Sequence, residues 1–139
     1  MRETCFLITR DEQILRIYTG SATRIDDSLP RWKAIWTYRY EIEEIVHTHP
    51  GGFLRFSDED LTTMQAVEAA TGCQYIWSIA TEDSYLRRLG HDGVDTSING
   101  GGNTWWLNPL RDLSFGNNVA EKKLTVIPPI SQVEPLCHN

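Results

Sequence analysis

Two histidines stand one residue apart, His47 and His49, in the stretch EEIVHTHPGGFLRFSDEDL. On a strand, residues i and i+2 face the same side. Two imidazoles so placed can share one metal ion, and imidazole suits zinc. Asp60 follows eleven residues after His49, in the first turn of the next expected helix. A glycine-containing loop can carry that turn back over the strand end. Two histidines and a carboxylate would then supply three ligands and leave a fourth position for water, the open arrangement of a catalytic zinc site. Each half of the pattern also has a plainer explanation. Paired histidines occur at solvated strand ends, and Ser57-x-x-Asp60 is close to a capping box, with acidic residues suited to a helix N-terminus. The two explanations are compatible, because a capped first turn is a rigid mount for a ligand.

A hydrolytic zinc site needs a base for its water. Glu41, Glu43 and Glu44 lie near the histidines in sequence. Glu43 shares strand parity with His47 but lies too far down the strand. Glu3 opens the apolar run Thr4-Cys5-Phe6-Leu7-Ile8, an unusual place for a carboxylate unless it is simply a solvated residue near the terminus.

Taken together, His47-Thr48-His49-Pro50, six further residues, and Ser57-x-x-Asp60 resemble the motif of the JAMM metalloprotease family, also called MPN-plus, JAB or Mov34-type, in its small prokaryotic form. The family's upstream glutamate opens a hydrophobic strand, as does Glu3, which lies 44 residues before His47. The resemblance covers about residues 2 to 90. It implies an α/β (α+β) fold, a single cytidine-deaminase-like MPN/JAB domain with a mixed central sheet flanked by helices. It implies that His47, His49 and Asp60 bind one Zn2+ per chain. Glu3 is then the general acid/base, and Ser57 donates to the developing oxyanion or holds the water or substrate carbonyl. The implied activity is hydrolysis of the peptide or isopeptide bond after the glycine-containing C-terminal tail of a ubiquitin-like protein, a deubiquitinase-like isopeptidase. Related small bacterial domains act on ubiquitin-like modifiers or sulfur-carrier conjugates, and some members have lost their ligands and serve as metal-free scaffolds. An edge strand beside the site would hold an extended tail by backbone hydrogen bonds. Phe53, Leu54 and Phe56 in the loop are candidate substrate contacts, or ordinary packing of that loop on the core.

The elements that must position these residues read as follows. Residues 3–9 and 13–19 are strands. Residues 31–40 form a short helix with Trp32, Ile35, Trp36 and Tyr40 on one face. Residues 43–48 are a strand that must stop at Pro50, and Gly51-Gly52 makes a flexible loop. A helix opens at Ser57, repeats Leu61, Met64, Val67 and Ala70, and ends at Gly72. Residues 74–81 and 84–89 make a hairpin. Residues 91–104 read as an irregular glycine-rich loop that could gate the site, Trp105-Trp106-Leu107 as an anchor, 121–127 as a last strand, and 130–139 as a frayed tail.

The chain has 139 residues, 40% of them hydrophobic, which suits one domain spanning 1–139 with a single core. A net charge of −6, with basic pairs only at Arg87-Arg88 and Lys122-Lys123, excludes a nucleic-acid partner that depends on clustered positive charge. No apolar run reaches the roughly 18 residues of a membrane span, and the N-terminus lacks the long apolar core of a signal peptide. Cys5, Cys73 and Cys137 are odd in number and widely spaced, which fits reduced thiols in a cytoplasmic protein.

Overall fold

The computed structural model describes residues 4–17, 29–49, 51–99, 104–115 and 125–127. Within them the chain is a mixed α/β structure with three helices and a seven-stranded mixed sheet. The elements in order are β1 (Cys5–Thr9), β2 (Ile14–Ile17), α1 (Leu29–Thr37), β3 (Ile42–Thr48), α2 (Asp58–Thr71), β4 (Ile76–Ala80), β5 (Ser84–Leu89), β6 (Thr96–Asn99), α3 (Leu107–Phe115) and β7 (Thr125–Ile127). The strand order is β6-β5-β4-β3-β1-β2-β7. β3 and β4 are parallel neighbours, as are β2 and β7, and every other pair is antiparallel.

Alternation along the strands gives the sheet two apolar faces. Cys5, Leu7, Leu15, Ile45, Trp77 and Ile79 pack with Ala34 and Ile35 of α1 and with Met64 and Val67 of α2. Phe6, Ile8, Val46, Ala80 and Tyr85 pack with Trp106, Leu107 and Leu110. All five residues of β1 are buried, which explains its unbroken apolar run.

Four local expectations differ from the structure. The 91–104 segment is not wholly loop, because Thr96–Asn99 pairs with β5 as an edge strand. Trp106 and Leu107 are buried, as an anchor would be, but the chain also turns helical from Leu107, a helix that the sequence does not predict. Pro109 sits in that helix's first turn, where its missing N–H costs nothing. Ala70 is exposed while Met64 and Val67 are buried. A spacing of three slips behind a 3.6-residue turn, so by Ala70 the row has rotated half-way round from Leu61. Tyr40 is 54% exposed beyond the end of α1, so it belongs to no helical face. The 130–139 tail lies outside the described residues. No helix among those described is long and apolar enough to cross a membrane.

The β3–α2–β4 unit positions the site. A helix that links two parallel neighbouring strands starts at the C-terminal end of the first. The N-terminus of α2 is therefore set beside the end of β3, where the histidines lie. Glu68 pins the far end of α2. Its Oε2 accepts the Tyr75 N–H and the Trp77 Nε1–H, both at 2.9 Å, and its Oε1 accepts the His91 N–H at 3.0 Å.

Candidate metal centre

His47 shares parity with Ile45 and so faces the α2 side of the sheet. The backbone around it is tied to both neighbouring strands. Thr48 N–H donates to Thr4 O at 3.1 Å, and Thr48 Oγ1 accepts the Thr4 N–H at 3.0 Å. One residue beyond the strand, His49 N–H donates to Ala80 O at 3.0 Å. His47 and His49 therefore sit on fixed backbone, with ring centroids 4.7 Å apart. Phe56, buried, stands edge-on to the His47 ring at 6.1 Å.

Asp60 arrives from α2. Ser57 is the N-cap in extended geometry, and its Oγ accepts the Asp60 N–H at 3.0 Å while Asp60 Oδ2 accepts the Ser57 N–H at 2.9 Å. This is a complete capping box. The same Oδ2 lies 3.5 Å from His47 Nε2. Burial alone would raise the Asp60 carboxyl; the His47 ring and the bonds from Ser57 outweigh it and hold it down at about 2. It is a carboxylate at any ordinary pH.

His47, His49 and Asp60 each offer one ligand atom, and the three atoms lie within 4.8 Å of one another. His47 Nε2 is shut off from solvent yet has no hydrogen-bond partner among the described residues; Asp60 Oδ2 stands at ion-pair distance, 3.5 Å. A buried polar atom left unmade costs about 1–3 kcal/mol, and a cation shared by the three groups would satisfy it. The donor set of two imidazoles and a carboxylate suits zinc. His49 Nδ1 is 2.6 Å from the Phe53 carbonyl oxygen, the kind of acceptor that lies behind a metal-bound imidazole.

The other candidates are distributed as follows. Ser57 is exposed at the edge of the cluster with its hydroxyl proton not committed to the cap. Phe53 is 65% exposed, Leu54 is half-buried against the core, and Phe56 is buried within it. Of these three, Phe53 is the exposed one. Glu3 lies outside the described residues; Thr4, its neighbour in the chain, is the residue bonded to Thr48. Glu41 and Glu43 are exposed. Glu44 is buried under the opposite face, where its Oε2 accepts from Ser78 Oγ and Tyr85 O–H. Burial raises the Glu44 carboxyl against the pull of those two bonds. Nothing in the order of residues pairs Glu44 with two partners from other strands, although its alternation with Glu43 does place the two on opposite faces. Among the described residues β3 is flanked by β1 on one side and β4 on the other. A groove of about 260 Å³ between α1 and the C-terminal end of α2 is lined by Trp32, Ile35, Trp36, Ala70, Thr71 and Lys33. It sits roughly 15 Å along α2 from Asp60, at 1.5 Å per residue, and carries no set of groups with which to do chemistry.

No family model, no curated protein and no solved structure matches the chain.

Proposed function

We propose that the protein is a zinc-dependent peptidase or isopeptidase with an MPN/JAB-type fold, cleaving after the glycine-containing C-terminal tail of a ubiquitin-like or sulfur-carrier protein in the cytoplasm. The observation that carries this reading is the convergence of His47, His49 and Asp60 from two elements around one buried, unsatisfied imidazole nitrogen. Their order and spacing in the chain are those of the motif they resemble.

His47, His49 and Asp60 would hold the ion. When bound, zinc supplies a Lewis acid that polarises the scissile carbonyl and makes water a nucleophile near neutral pH. Asp60 enters as a carboxylate already oriented by the Ser57 amide, so no proton need leave it. The Ser57 hydroxyl, exposed beside Asp60, donates to the substrate oxygen as negative charge grows there. We assign Glu3 to take the proton from the attacking water and pass it to the leaving amine; it precedes Thr4 in the chain, and Thr4 is bonded to Thr48, the residue between the two histidines. Phe53 offers an apolar contact for the incoming tail.

The test is cleavage of a fusion carrying a diglycine-tailed ubiquitin-like domain, in the presence of Zn2+. Cleavage at the diglycine is expected. Glu3→Gln should lower its rate at least about 100-fold, the scale of general acid/base catalysis, with zinc content retained. A zinc-loaded wild-type protein that leaves the fusion intact would reject this substrate class, and full activity in Glu3→Gln would reject the base assignment.

A further inference from the structure

The acceptor behind His49 is a backbone group, and the turn that delivers it depends on one glycine. Gly52 N–H donates to His49 O at 3.1 Å, so the backbone at Gly52 turns back onto His49. Gly52 has φ +75°, in the left-handed region, whereas Gly51 is not in that region. One residue later, the Phe53 carbonyl oxygen lies 2.6 Å from His49 Nδ1. A carbonyl can only accept, so the proton of a neutral His49 ring sits on Nδ1 and the lone pair is left on Nε2. From this juxtaposition we infer that the Gly52 turn sets the His49 tautomer before any metal arrives, with the Phe53 carbonyl as the positioning group that presents Nε2 to the cation. This rests on the metal reading above and deepens it. The two glycines, which in sequence suggest only flexibility, then have different roles: Gly52 provides a conformation that other residues rarely adopt, while Gly51 does not.

The geometry supplies its own control. An added Cβ would meet nothing within 4 Å at either Gly51 or Gly52. Gly52→Ala therefore perturbs only the backbone angle, and Gly51→Ala perturbs neither angle nor packing. Asn tolerates the left-handed region better than Ala, so Gly52→Asn is the conservative rescue.

Two measurements test the inference. The first is the ring ¹⁵N spectrum of metal-free wild-type protein at a pH where the histidines are neutral. His49 is expected as the Nδ1–H tautomer; the Nε2–H tautomer, or rapid exchange between the two, would overturn the inference whether or not the protein binds metal. The second is zinc affinity by competition with a chromophoric chelator. Gly52→Ala should bind about 10- to 100-fold more weakly, the usual effect of losing the acceptor behind a metal-bound histidine. Gly51→Ala should match wild type and Gly52→Asn should lie between. Equal affinity in wild type, Gly51→Ala and Gly52→Ala would overturn the inference while leaving the metal reading in place. Absence of zinc binding in wild type would instead strike the metal reading, and the tautomer measurement would still decide the turn's role.

Discussion

Asp60 has two tasks, closing the cap of α2 and facing His47 across 3.5 Å. Its negative charge strengthens both, which gives a pH signature in the metal-free protein. Its carboxyl is lowered from 3.8 to about 2 in the folded state. A lowered folded value means that stability is present above the unfolded value and is lost as pH falls through the folded one. The acid limb of the wild-type stability curve should therefore steepen between about pH 4 and pH 2. Asp60→Asn, which keeps an oxygen able to accept from Ser57, should flatten that limb when denaturant midpoints are followed across this range. An unchanged limb would mean that the charge of Asp60 contributes nothing to folding. At this scale much of the site is legible in the sequence: strand parity puts His47 and His49 on one face, and the Ser57-x-x-Asp60 spacing brings the carboxylate into a first turn. The Phe53 carbonyl was not legible, because a backbone acceptor has no residue-type signature.

The β3–α2–β4 unit converts those local positions into a site. The crossover between parallel strands sets the start of α2 beside the end of β3, and the acidic first turn of Asp58, Glu59 and Asp60 suits the positive end of the helix. Ser57 caps α2, and substitution separates that role from the catalytic one proposed for it. Ser57→Ala should cost about 1 kcal/mol of stability, the usual loss of an N-cap side chain, read from urea unfolding. Ser57→Thr should restore stability. If Ser57 also donates to the substrate oxygen, Ser57→Ala should in addition lower the rate of diglycine-fusion cleavage by about 100-fold or more, well beyond a stability effect at a temperature where both proteins are folded. Elements with a strong apolar pattern, such as β1 and β4, can be read from the sequence. β6 cannot, because Thr96, Ser97 and Asn99 carry no apolar alternation and the strand exists only through its pairing with β5. α3 is obscured by Pro109, which reads as a breaker unless it falls in a first turn.

At the level of the whole molecule, the seven-stranded sheet is covered by α1 and α2 on one face and α3 on the other. This leaves the His47 end of β3 paired on both sides. The consequence is a paired floor under the cluster, with Phe53 exposed in the 51–56 loop beside it. Mixed α/β architecture follows from the alternation of apolar runs and a capped helix, and so is legible. Which strands neighbour β3 is not, since pairing depends on contacts far apart in sequence. The central claim is that three side chains drawn from β3 and its flanking end, and from α2, hold one cation. It is tested most directly by equilibrium dialysis of the purified chain against buffered Zn2+, followed by elemental analysis. One zinc per chain is expected, falling to well below one in His47→Ala and in Asp60→Asn under the same free-zinc concentration. No bound zinc in wild type, or one zinc retained undiminished in both variants, would contradict the account.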